Sequence, residues 1–318
     1  MSEFKSILKD EIGSYIRLCQ SEGKSIMSIQ SGILNLDTYL ESVGHTSKNL
    51  SADLMSSWIS QLHPPKKMTI KWNVIVVRQF MLYLRTLGFD AFMPEVPAYH
   101  SDYIPYSLND NEIARLFEAA DALTSRRKDA KKSITQFSAY LRILYGCGLR
   151  SGEVLKLRKN NIDFSINALI IKCAKGKKDR IVPMSSSLAL ILDAYTQMQT
   201  GGADRYLFTC KNGRPRSVKW AYEWFQRVLK QSGIVYAKDK NERAGPSPYS
   251  MRHAFIHRSY MKYAGITGHS FDDIIPFLSA YVGHVDATGT DRYFRYDSGL
   301  FADENERMDS FIDELLPE

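Results

Sequence analysis

Apolar residues at the start of the chain recur every three or four positions, the period of one helix face. Ile7, Ile12, Tyr15 and Ile16 form one stripe, and Ile33, Leu36, Tyr39 and Leu40 a second. Leu54, Trp58, Ile59 and Leu62 form a third, ended by Pro64-Pro65. The longest helix is predicted over about Met68 to Leu87. Ile70, Val74, Val77, Phe80, Met81 and Leu84 line its apolar face, and Gly88 closes it. Helices of this size predict a small bundle over residues 1–95. Lys66, Lys67, Lys71 and Arg78 lie on the polar side of the last helix. That edge is either a solvated face or a surface that tracks phosphates.

The pattern then breaks. Residues 91–106 carry three prolines and no period. Proline removes a donor and biases its predecessor towards extended backbone. Residues 96–106 therefore read as an extended linker. A second region, residues 107–298, mixes both periods. Ser107 begins one helix, with a Ser or Asn near its start and acids in its first turn, and Phe137, Leu141 and Leu144 mark another over Ile134 to Tyr145. Glycines 146 and 148 break that helix, and Ser151 reads as the cap of the next, Glu153 to Leu157. Ala168 to Cys173 and Arg180 to Pro183 read as two strands around a tight turn, a hairpin with a cationic tip. A helix follows over Leu188 to Met198, and Lys211 to Arg216 form a basic turn. Ser217 caps a helix through Trp220, Trp224, Phe225 and Leu229. A further helix is expected from Ser250 through Tyr260. The fold class is mainly α with a small β-sheet. Residues 299–318 form an acidic amphipathic tail, suited to packing in cis or on a neighbouring protomer.

Composition narrows the function. The chain has 318 residues, a net charge of +7 and a pI near 9.0, so a polyanion, nucleic acid first, is the expected partner. No apolar run reaches the ~18 residues that span a bilayer, and the N-terminus carries acids unlike a signal peptide. A cytoplasmic protein without membrane contact is expected. Cys19, Cys147, Cys173 and Cys210 lie far apart in apolar surroundings. They read as reduced core thiols, without a zinc or disulfide pattern.

The candidate chemistry lies late in the chain. Gly283-His284 suggests a helix end, and Tyr293 follows nine residues later, so both side chains are placed to face one cleft. Arg150 and Arg252 each fall near a helix start, where backbone amides and the dipole favour an anion. Glu153 is spaced to hold the Arg150 guanidinium. Lys175, Lys177, Lys178 and Arg180 sit at or beside the hairpin tip. Arg214, Arg216 and Lys219 add a second basic patch. His253 and His257 are read as lying on a different helical phase from Tyr249.

In order, the motifs are GLRSGEVLKL (Gly148 to Leu157), KGKKDRIVP (Lys175 to Pro183), SMRHAF (Ser250 to Phe255) and VGHVDATGTDRY (Val282 to Tyr293). With that order and spacing the chain resembles the tyrosine recombinase (phage integrase) family over nearly its whole length. The resemblance implies a helical, SAM-like core-binding bundle followed by a mixed α/β catalytic domain. It implies that Tyr293 attacks a DNA phosphodiester to give a 3′-phosphotyrosine, and that Arg150 and Arg252 clamp the phosphate oxygens. Lys175 then protonates the leaving 5′-oxygen, His284 contacts the phosphate or orients the nucleophile, and Glu153 and His253 support from behind. No metal or cofactor is implied. The implied partners are double-stranded DNA with paired sites, a homo-tetramer and an accessory directionality factor. One position departs from the pattern: Tyr249 stands where the family usually has His. A phenol with a pKa near ~10 donates a hydrogen bond but is a poor base at neutral pH. A type IB topoisomerase-like enzyme and a non-catalytic DNA-binding regulator are the alternatives.

Overall fold

The computed structural model describes residues 4–62, 67–98, 106–172, 179–236 and 245–284, with residues 290 and 294. The chain divides into two compact units, Met1–Asp102 and Tyr103–Glu318.

The first unit is built from α1 (Lys9–Ser21), α2 (Ile26–Ser42), α3 (Ala52–Ser60) and α4 (Lys67–Thr86). Each buries the stripe its sequence carries: Ile12, Ile33, Leu36, Leu40, Val74, Val77, Phe80, Met81 and Leu84 are fully enclosed. Ile7 is a correction. It is 41% exposed, because α1 begins at Lys9 and Leu8 turns inward instead. α2 and α4 approach closely at Gly32, where a Cβ would lie 3.0 Å from a Val76 methyl. Asp37 is buried and accepts from the Lys5 and Ser6 amides at 2.9 and 3.0 Å, which fixes the segment leading into α1.

The second unit holds α5 (Asp110–Asp121), α6 (Lys128–Cys147), α7 (Ser151–Leu155), the strands β1 (Ile162–Asp163), β2 (Ala168–Ile171) and β3 (Arg180–Pro183), then α8 (Ser186–Gln197), α9 (Val218–Ser232), α10 (Pro248–Thr267) and α11 (Phe271–Val282). Asn109 and Glu112 close a capping box on α5. The antiparallel sheet runs β1-β2-β3, with Leu169 opposite Val182 in register. β1 is a strand the periodicity did not reveal, because two residues carry no pattern. The turn between β2 and β3 lies outside the described residues. α6 is the central helix: Phe137, Tyr140, Leu141, Ile143, Leu144 and Cys147 are all buried. It starts six positions before the predicted Ile134, in a polar segment without apolar period. Among the described residues no helix is long and apolar enough to cross a membrane.

Two helix ends matter for the site. α6 and α11 each end at a left-handed glycine, Gly148 (φ 58°) and Gly283 (φ 70°). A small cluster of Ile256, Ile275, Leu278, Val282 and Phe294 joins α10 to α11.

Candidate functional site

The site forms where α11 stops. A helix leaves its last carbonyls without intrahelical partners, at the negative end of its dipole. Three arginines fill that need on successive residues. Arg180 Nε donates to the Tyr281 carbonyl at 3.2 Å. Arg252 Nη2 donates to the Val282 carbonyl at 2.9 Å. Arg150 Nη2 donates to the Gly283 carbonyl at 2.8 Å. The chain then turns through a Schellman-type bond from the His284 amide to the Ser279 carbonyl, 2.9 Å. This turn delivers His284 to the same spot.

Two glycines make room. A Cβ on Gly148 would sit 2.2 Å from the Phe255 ring, so α10 closes onto the end of α6 only because this residue has no side chain. That approach lets Arg252 Nη1 reach the Gly148 carbonyl at 2.7 Å. A Cβ on Gly283 would lie 2.7 Å from the Arg180 guanidinium.

Arg150 precedes α7, and Glu153 folds back on it. The Glu153 carboxylate accepts from the Arg150 amide at 2.9 Å and from its Nη1 at 3.1 Å. It also takes both terminal nitrogens of Arg180, at 3.1 and 2.9 Å. Burial alone pushes this carboxyl's pKa upward. The Arg180 hydrogen bonds, the Arg150 amide and both positive charges outweigh burial and hold it below its ordinary 4.5. Ser151 does not cap α7, as the sequence suggested. It is the first helical residue, and its hydroxyl lies 2.6 Å from the buried Tyr140 hydroxyl.

Arg252 is 1% exposed, on the second turn of α10. Its Nη2 lies 3.0 Å from His284 Nε2. His284 Nδ1 lies 2.6 Å from Thr290 Oγ1, which is 2.6 Å from Ser279 Oγ. Two guanidinium groups thus share one carboxylate, and the third, Arg252, joins them on the successive carbonyls at the end of α11, a cluster suited to an oxyanion with several free oxygens. Tyr249 lies on the first turn of α10 and is 42% exposed. His253 is buried on the same helix. The helical-phase reading was wrong: positions 249, 253 and 257 are four residues apart and share one side of α10.

Lys175, Tyr293, Lys66, Lys177 and Lys178 lie outside the described residues, as does the side chain of Lys67. The neighbours of Tyr293 are informative. Thr290 is fully buried, and Phe294 is 1% exposed between the rings of Tyr260 and Phe271. Of the remaining basic candidates, Lys71 is half-buried, and Arg214 and Lys219 are exposed. Arg180, Arg78 and Arg216 are used inside. Arg180 joins the site, and Arg78 donates to the Pro94 carbonyl. Arg216 donates to Gln136 at 2.9 Å and Ser133 at 3.0 Å, over the Trp220 ring. These three are therefore not free surface cations, because buried acceptors on neighbouring segments claim them first. The sequence reading missed Thr290, Ser279, Lys156 and Lys172. The two lysines line a groove of about 560 Å³ beside Arg150 and Glu153. Among the described residues no group of three His, Cys, Asp or Glu side chains is placed to hold a metal ion.

The comparisons with known proteins follow this geometry. Residues 107–298 match the model of the phage integrase family. The chain is 24% identical over 314 residues to y4rB, an integrase/recombinase of Sinorhizobium fredii, covering 96% of this chain and 98% of that protein. It is 26% identical over 262 residues to the tyrosine recombinase XerA of Thermococcus kodakarensis, covering 80% and 81%. The fold is similar to that of XerH recombinase bound to difH substrate, with a TM-score of 0.67 at 16% identity over 88% of this chain and 78% of that one. It is also similar to the Tn1549 transposon integrase in complex with transposon end DNA, with a TM-score of 0.62 at 16% identity over 94% and 99%. A family match across the whole arginine-bearing unit, on a site assembled from its four motifs, identifies the chain as a member of the phage integrase family of tyrosine recombinases.

Proposed function

We propose that this protein is a site-specific DNA recombinase that breaks and rejoins strands through a 3′-phosphotyrosine on Tyr293. One observation carries the reading. Arg150, Arg252 and His284 come from three separate motifs, yet all three meet at the end of α11, nine residues before Tyr293. The arginines bind the phosphate and stabilise the charge that grows on it as the phosphorus becomes five-coordinate. Glu153 holds Arg150, and Lys175 supplies the proton for the departing 5′-oxygen. A covalent phosphotyrosine conserves the broken bond's energy, so rejoining needs no nucleotide. The working form is a homo-tetramer on paired sites, with the acidic tail docked on a neighbour. Resemblance to the fold of a lambda integrase tetramer bound to a Holliday junction supports this assembly.

The test is a covalent adduct. The protein is incubated with labelled DNA that carries its genomic flanking site and a nick that traps cleavage, without divalent metal. The expected result is a protein–DNA adduct in the wild type, absent in Tyr293→Phe and retained in Tyr296→Phe, which removes the second tyrosine three residues further on. Tight DNA binding with no adduct in the wild type favours the non-catalytic regulator. In that case Tyr249→His is the first variant to assay for restored cleavage.

A further inference from the structure

His284 has two ring nitrogens, and the structure gives each a different partner. On one side Arg252 Nη2 lies 3.0 Å from Nε2. A guanidinium carries only donors. Nε2 therefore presents its lone pair, and the neutral ring keeps its proton on Nδ1. On the other side Nδ1 lies 2.6 Å from Thr290 Oγ1. The Nδ1–H donates to that hydroxyl oxygen, and the Thr290 and Ser279 hydroxyls share a further bond at 2.6 Å. Thr290 is 0% exposed and Ser279 5%, so neither hydroxyl has bulk water as an alternative. The opposite tautomer would set an N–H against an N–H at Arg252.

We propose that Thr290, backed by Ser279, is a positioning residue that holds His284 in the Nδ1–H form, so that Nε2 enters the reaction as a proton acceptor. The proposal rests on reading the site as a strand-cleaving centre. Among the described residues the charged groups near the ring include Arg252 from α10, and Arg150 and Arg180, which hold the carbonyls of Gly283 and Tyr281 with Glu153 between them. When a phosphate oxygen takes the Arg252 N–H, the Nε2 lone pair is released at the same place. The Tyr293 hydroxyl passes its proton to Nε2, and its oxygen forms the bond to phosphorus. The bond from phosphorus to O5′ breaks with its electron pair on O5′, which takes a proton from Lys175. Tyr249 is a weak acceptor at neutral pH, so this duty falls on an imidazole.

The experiment uses the full chain with ¹⁵N-labelled histidine rings. The His284 signals are those lost in His284→Asn. The expected wild-type spectrum has a protonated Nδ1 and a bare Nε2, without DNA. Thr290→Val removes the hydroxyl, and the ring signals are expected to move towards the Nε2–H form. Thr290→Ser restores the wild-type pattern. On the nicked substrate, Thr290→Val cleaves about tenfold more slowly at unchanged DNA affinity, well short of the ~10²–10⁴-fold of losing the acceptor altogether, and Thr290→Ser recovers. A bare Nδ1 in the wild type overturns the proposal. So does a Thr290→Val spectrum that matches the wild type. If Thr290→Val does not fold, the wild-type and Thr290→Ser spectra still decide. A protein with the expected tautomer and no adduct fails as a recombinase, whereas an adduct with the wrong tautomer fails only the assignment to Thr290.

Discussion

The surroundings of Arg150 and of Arg252 are built on opposite principles. Arg150 is 26% exposed and its charge is answered by a carboxylate, Glu153, that it shares with Arg180. Arg252 is 1% exposed, and it is held by two backbone carbonyls and lies beside an imidazole. Carbonyl dipoles fix a guanidinium without cancelling its charge. A full positive charge in a protein interior acts more strongly on an incoming anion than one in water. For the function proposed above, this contrast divides the labour: Arg252 would be the fixed electrostatic anchor, and Arg150 the accessible arm whose setting depends on an ionised Glu153.

The sharpest way to break this comparison is to change Arg252. Arg252→Lys keeps the charge but cannot serve Gly148, Val282 and His284 together, because an ammonium has no planar fork. Cleavage is expected to fall about 10²–10³-fold, the scale for losing one preorganised donor. Arg150→Lys is expected to lose less binding of the free fold, since solvent reaches its head group. Adduct formation rates and thermal unfolding of both variants measure the gap. Equal loss of stability in the two would refute the buried-anchor reading.

Glu153 gives the next largest effect. Glu153→Gln leaves two guanidinium groups facing a neutral amide, and breaking such a buried pair costs about 3–5 kcal/mol. Urea unfolding measures it. The same residue sets a pH dependence. Its folded pKa lies below the ordinary 4.5, so the unfolded chain binds this proton more readily as pH falls. Its stabilisation is fully present above about pH 4.5 and is lost as pH drops through the lower, folded value. In Glu153→Gln this part of the acid limb should disappear, and a limb identical to the wild type would exclude Glu153 as its source.

How much of this was legible in the sequence follows the same divide. Helix stripes such as Ile33, Leu36 and Leu40 are local, and packing obeys local period. Arg150, Glu153 and Arg252 were marked as candidates, because glycine breaks and helix starts are written in neighbouring residues. The use of Arg180 was not legible. A basic residue next to a hairpin reads as a surface cation, and only the fold brings it to Glu153 and to a carbonyl 101 positions away. Thr290 was invisible for a similar reason: a threonine has no signature until the fold sets a half-buried imidazole beside it. Gly148 lay between. Its role as a helix stop was readable, but its closeness to Phe255 was not.

Gly148→Ala tests that closeness. It places a Cβ at φ 58° and against the Phe255 ring, so about 1–3 kcal/mol of backbone strain is expected beyond any repacking. Because Arg252 reaches the Gly148 carbonyl, cleavage should fall along with stability. Gly152→Ala, where nothing lies within 4 Å of the added methyl, is the matched control, and its stability should hold or rise by up to about 1 kcal/mol.

The smallest effect separates inner from outer cations away from the site. Lys219 is 85% exposed and faces Glu223 at only 3.9 Å, a pair that contributes little. Lys219→Ala should shift stability by less than about 0.5 kcal/mol. If Lys219 meets DNA, binding should weaken and the salt dependence should lose close to one phosphate contact. Arg216→Ala should do the reverse. Its guanidinium holds Gln136 and Ser133, both buried, so about 1–3 kcal/mol of stability should be lost for the stranded partners. Its salt slope on DNA should stay that of the wild type. A lowered slope for Arg216→Ala, at unchanged stability, would mean that its internal bonds yield to phosphate, and the division between structural and DNA-facing arginines would fail there first.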